Sequence, residues 1–79
     1  MIIKSYFLTQ HAKERMKERG ISEIEIESAI SDPEIIHPGI RGDINVTKTI
    51  NNRKIKVSYI IERNMKKIIT AMILSKKGK

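Results

Sequence analysis

The sequence predicts an α+β domain in which two short N-terminal helices pack on a curved antiparallel sheet of three or four strands. Three observations carry this. Good helix formers and cap signals fill residues 10–31. Apolar and polar residues then alternate through the second half of the chain. The breaks between those alternating segments are short, which joins neighbouring antiparallel strands. At 79 residues the chain supports one core, and 1–79 is read as a single domain.

The helices come first. Tyr6, Phe7 and Leu8 are a short apolar lead-in, Thr9 is an N-cap, and residues 10–19 are almost all helix formers. Gly20 suits the left-handed position that ends a helix. Ser22 opens the next helix with Glu25 three residues on, a capping box. Ile21 and Ile26 are spaced as a hydrophobic staple. This second helix is expected over 23–31, ending before Pro33.

Strands follow at 34–37, 44–50, 54–62 and 67–74. Pro38, Gly39 and Gly42 mark a loop after the first. "NNR" and "RNMK" are turns, and Asn64 suits a positive φ. The tail 75–79 is expected to fray. In "KIKVSYIIE", Ile55, Val57, Tyr59 and Ile61 point one way while Lys54, Lys56 and Ser58 point the other. In "INVTKTI", Asn45, Thr47 and Thr49 oppose Ile44, Val46 and Ile50. The lysine-bearing polar face is a candidate ligand surface; a solvated sheet face has the same pattern.

Charge is unevenly spread. Residues 1–40 hold five Lys/Arg and seven Asp/Glu, while 41–79 hold eleven Lys/Arg and two Asp/Glu, and the whole chain is +7. A basic half of this kind faces a polyanion or acidic protein, although a basic surface also serves solubility. There is no cysteine, so disulfides and thiolate metal sites are excluded and a reducing cytoplasm is the expected location. No apolar run suggests a signal peptide or membrane span. No metal or other cofactor is expected.

His11, Arg15 and Arg19 follow one another at i, i+4 and i+8 along one edge of the helix face that holds Ala12 and Met16. A histidine beside two arginines suits phosphodiester chemistry. Imidazole exchanges protons near neutral pH, and guanidinium forks hold phosphate and neutralise growing charge. The same residues near a helix C-terminus also complement the helix dipole with no chemistry involved, and Glu14 and Glu18 are in reach as partners. His37 reads as a loop histidine. A helix-turn-helix reading fails on charge, because Glu23, Glu25 and Glu27 on the would-be recognition helix repel DNA phosphates.

The stretch "LTQHAKERMKERGISEIEIESAISDPEII" resembles a family of small prokaryotic domains of unknown function that opens H-A-x-x-R-M-x-x-R-G-I. Here His11, Ala12, Arg15, Met16, Arg19, Gly20 and Ile21 match. The resemblance extends to the RelE/ParE-like toxins of the barnase–EndoU–colicin–RelE superfamily. It implies a RelE-like fold and a metal-independent endoribonuclease, in which a ribose 2′-hydroxyl attacks the adjacent phosphate. His11, Arg15 and Thr70 would be catalytic, and Arg19, Lys54, Lys56 and Ser58 would bind RNA. The partners implied are RNA, an antitoxin protein and a second copy, with the last strand exposed for edge-to-edge pairing. The chain lacks a C-terminal aromatic for stacking a base, a departure from RelE-like ribonucleases. Two alternatives stay open: a non-catalytic RNA- or protein-binding module, and a ParE-like toxin that poisons a topoisomerase.

Overall fold

The structure, a computed structural model, describes residues 6–76. Its elements run β1 (Tyr6–Leu8), α1 (Gln10–Arg19), α2 (Glu23–Ser31), β2 (Ile35–Pro38), β3 (Ile44–Ile50), β4 (Arg53–Glu62) and β5 (Met65–Lys76). Both helices fall on the expected residues. Thr9 caps α1: its hydroxyl oxygen accepts from the Ala12 N–H at 3.1 Å. The same hydroxyl donates to the Ile68 carbonyl at 2.8 Å, which moors the helix start to β5. Gly20 ends α1 with φ +66°. In α2, Ser22 and Glu25 form the complete capping box, and the staple pair Ile21 and Ile26 is buried.

The sheet departs from expectation. It has five strands in the order β1-β5-β4-β3-β2, and it is mixed. β2, β3, β4 and β5 are antiparallel neighbours, but β1 runs parallel to β5, with Tyr6 opposite Lys66 and Leu8 opposite Ile68. Three residues are too few to display a two-residue period, so Tyr6–Leu8 did not declare itself a strand. The helices and the antiparallel strands between β1 and β5 together make the crossover that parallel pairing requires. Consequently β5, expected as an exposed last strand, has β1 outside it. Beyond Ile68 its outer edge meets α1, where Arg19 donates to the Ala71 carbonyl at 3.1 Å. Covering of this kind takes residues 66–68 and the Ala71 carbonyl out of the edge available for strand addition.

Strand limits also shift. β2 ends one residue later than expected, on Pro38, β4 starts at Arg53, and β5 extends from Met65 to Lys76. Thus Ser75 and Lys76, expected to fray, continue the strand; 77–79 lie outside the described residues. The turns are tighter than their sequences suggested. Asn51 and Asn52 both have positive φ, as do Arg63 and Asn64, the pairing of two left-handed residues that matches strand twist in two-residue hairpins.

α1 packs on β5 and β1, and α2 on β3 and β4, so both helices cover one side of the sheet. The core between them is built on Ile26, Val46, Ile55, Val57 and Ile68, all fully buried. Burying a side chain of this size contributes about 1.5–3 kcal/mol. Ile61 continues the inward alternation but is 54 % exposed. Arg53 locks the layers together. Its guanidinium donates to the carbonyls of Arg19 and Gly20 and, at 2.6 Å, to the Glu25 carboxylate. Among the described residues no helix is long and apolar enough to cross a membrane.

Candidate nucleic-acid interface

The side of the sheet away from the helices is open. Strand alternation and register define what it displays. One cross-strand row runs His37, Asn45, Ser58, Thr70, and the next runs Ile35, Thr47, Lys56, Met72. Lys54 pairs with Thr49 on β3. Register shifts fall between Lys54 and Ile55 and between Ser58 and Tyr59. Such bulges bend a strand and re-aim side chains. The first leaves Leu74 without an opposite residue, and Leu74 turns into a concavity on this face.

That concavity has a volume of about 260 Å³ and is lined by Ile35, His37, Asn45, Thr47, Lys54, Lys56 and Leu74. Its floor is partly fixed by hydrogen bonds. The Ser58 hydroxyl donates to Asn45 Oδ1, and Asn45 Nδ2 donates to Asp43 at 3.2 Å. Asp43 also accepts from the Arg41 backbone N–H. Its own backbone N–H and Asn45 hold the Asp43 carboxyl below the ordinary range. Gly39 sits so close to this carboxylate that a Cβ there would fall 2.0 Å from Asp43 Oδ1. Thr47, expected on a solvated face, is buried, since side chains of β2 and β4 flank it.

Lys54 and Lys56 are half-buried, and among the described residues no carboxylate lies within ion-pair distance of either. Arg15, Lys48, Arg53 and Lys67, by contrast, pair with Glu18, Asp32, Glu25 and Glu62. A partly desolvated ammonium group gains most from an anion that arrives from outside. Two residues apart on one strand, the two lysines project from the same face roughly 7 Å from one another.

The helix stripe lies elsewhere. His11 is exposed. Arg15 pairs with Glu18 at 2.6 Å, and its Nε is buried without a hydrogen-bond partner. Arg19 is spent on the Ala71 carbonyl. These three belong to the helix layer, whereas Thr70, Lys54, Lys56 and Ser58 belong to the open face. No hydrogen bond joins His11 or Arg15 to any of those four. The expected set thus divides into an α1 ridge and a sheet-face group, and the structure brings together only the second. In place of His11 it brings His37 to the lysines. "EIIHP" carries the signal for this, because Ile35 and His37 are two apart and share a face once the segment is a strand. Among the described residues no group of three His, Cys, Asp or Glu side chains is placed to hold a metal ion.

Fold and site together define a small α+β domain with one sheet face left uncovered and basic. The chain belongs to a family described as a domain of unknown function, DUF4258, whose model matches residues 8–73. No curated protein and no solved structure matches it.

Proposed function

We propose that this domain binds RNA on the open face of the sheet, with Lys54 and Lys56 holding backbone phosphates. The observation that carries this is the pair of half-buried lysines with no carboxylate partner among the described residues, set in a concavity beside amide, hydroxyl and imidazole groups. The excess of cations in residues 41–79 gives long-range attraction to the same ligand. On the covered side Arg15, Lys48 and Arg53 are neutralised within the fold, and the half-buried Lys66 sits over the Tyr59 ring at 5.7 Å. Binding of a mixed-sequence RNA oligonucleotide across a salt series tests it. Lys54→Ala and Lys56→Ala are each expected to weaken binding for all sequences alike, and an unchanged affinity in both would sink the reading.

Metal-independent cleavage is a second reading, favoured by His37 lying in the same concavity as the lysines. The imidazole there would take the proton of a ribose 2′-hydroxyl as its oxygen attacks phosphorus. The 5′-oxygen would then leave with a proton from water, giving a cyclic phosphate and a 5′-hydroxyl end. Incubation of total RNA in EDTA with wild type, His37→Ala and His11→Ala decides it. Cleavage lost only in His37→Ala supports it; equal end products in all three and in buffer alone rule it out.

A further inference from the structure

Resting on that binding reading, we infer that the ligand is single-stranded RNA lying diagonally across the open face, from the Lys54–Lys56 concavity to a base stacked on Phe7. The sequence has three aromatic residues, Tyr6, Phe7 and Tyr59. Tyr6 and Tyr59 are buried on the helix side. Phe7, between Tyr6 and Leu8 on β1, projects to the opposite side and is 38 % exposed. It is the one aromatic that the described residues present on the lysine-bearing face.

Its surroundings fit a base. Phe7 is in register with Lys67 on β5, and Lys67 with Ile60 on β4. An exposed phenyl ring is a platform on which a base stacks; the Lys67 ammonium on the neighbouring strand pairs with Glu62 at 3.5 Å, an exposed ion pair that an arriving phosphate can exchange. Between Asp43 and Glu62 at its two ends, the charged strand residues of this face are Lys54, Lys56 and Lys67, all cationic. Ser58 and Thr70 lie between the lysine pair and Phe7; the Ser58 hydroxyl donates to Asn45, which leaves its oxygen as an acceptor, and the Thr70 hydroxyl is the polar group nearer Phe7. From Lys56 to Phe7 the path crosses two strand spacings and four residues, roughly 16 Å, which a few nucleotides of an extended strand span.

The same features disfavour a duplex. Ile35 and Leu74 wall the concavity, and Ile35 and Leu74 are 40 % and 47 % exposed. A paired RNA helix presents phosphates and 2′-hydroxyls to a protein and keeps its base faces stacked inside. It has nothing to place against aliphatic walls or a phenyl ring. An unpaired strand has both base faces and phosphates to offer.

The test uses the whole chain with a single-stranded RNA oligonucleotide and a duplex of the same length. Phe7→Leu keeps an apolar side chain and removes the stacking surface. It is expected to weaken single-strand binding about fivefold or more and to leave duplex binding unchanged. The chain has no tryptophan, so Phe7→Trp is a single reporter whose emission should be quenched by single-stranded RNA and not by duplex; this decides the matter even if Phe7→Leu folds poorly. Equal weakening on both RNAs overturns the inference. So does unaltered Phe7→Leu affinity together with unquenched Phe7→Trp emission, while loss of binding in Lys54→Ala/Lys56→Ala leaves the underlying reading standing. If that double lysine variant binds as wild type, the binding reading itself falls.

Discussion

Replacing Arg53 should cost more stability than any other surface-accessible change in this chain. Arg53→Met keeps the aliphatic stem and removes the guanidinium. It breaks the 2.6 Å bond to Glu25 and the donations to the Arg19 and Gly20 carbonyls at the end of α1. The Glu25 side chain is only 9 % exposed, so the variant leaves a carboxylate buried without its cation. Removing one partner of a buried pair costs about 3–5 kcal/mol. Arg53 is itself 21 % exposed, which lets water enter and places the expectation near the lower end, about 3 kcal/mol. A domain of this size has a total stability of about 4–12 kcal/mol. The melting temperature should therefore fall by about 12–24 °C.

Acid unfolding supplies a second readout. Burial pushes the Glu25 carboxyl up, but the Ser22 backbone N–H, Arg53 and the Ser22 hydroxyl outweigh it and hold Glu25 below its ordinary value of 4.5. A carboxyl depressed in the folded state contributes stability that is present above 4.5 and disappears as pH falls through the lower folded value. Wild type should thus lose stability below pH 4.5 more steeply than Arg53→Met. Urea denaturation at neutral and acid pH measures both. A loss under about 1 kcal/mol at neutral pH, far below that expected for a buried pair, or an identical acid slope in the two proteins, would refute the reasoning.

The other predictions are smaller. Tyr6→Phe removes a hydroxyl that contacts the Glu27 and Glu23 carboxylates at 2.6 and 2.7 Å. Burial and those two carboxylates push the Tyr6 hydroxyl well above its usual pKa, and its loss should cost about 1.5 kcal/mol in thermal unfolding. Gly20→Ala forces a Cβ onto a residue at φ +66°, where the nearest atom is Arg53 Nη1 at 4.0 Å. The cost is conformational rather than steric, about 1–2 kcal/mol by the same assay. His11→Ala, at an exposed position, should change stability by less than about 0.5 kcal/mol and leave RNA affinity unaltered in a binding titration.

Most of the helical half was legible from Thr9 to Ser31, because caps are local. Thr9, Gly20, Ser22 and Glu25 each act within a few residues, and each does what its type and spacing imply. The hairpins were legible for the same reason. What the sequence concealed is non-local. β1 is a strand only because β5, from the other end of the chain, accepts it. Arg53 reads as the end of a polar turn, and its role depends on α1 and α2 converging above it. For the site, alternation placed Lys54, Lys56 and Ser58 on one face, and the register joins Thr70 to that row. The same alternation left the apolar face of Ile55, Val57 and Tyr59 for the helices, and those residues are buried. The resemblance grouped His11, Arg15 and Arg19 with the sheet residues, but Arg15 pairs with Glu18, Arg19 is bound to the Ala71 carbonyl, and the lysines project from the face of the sheet away from the helices. His37 was set aside as a loop histidine because it stands before Pro38 at the end of the strand expected over 34–37; β2 runs through it to Pro38, and it lines the concavity.

The most direct test of the binding face is the salt dependence of single-stranded RNA affinity, compared between wild type and Lys54→Ala/Lys56→Ala. Each phosphate contact on a single strand contributes about 0.7 to the slope of log affinity against log salt. The double variant should bind more weakly at every salt concentration, with a slope shallower by about 1.4. A folded double variant with the affinity and slope of wild type would contradict the account and place RNA, if it binds, on another surface.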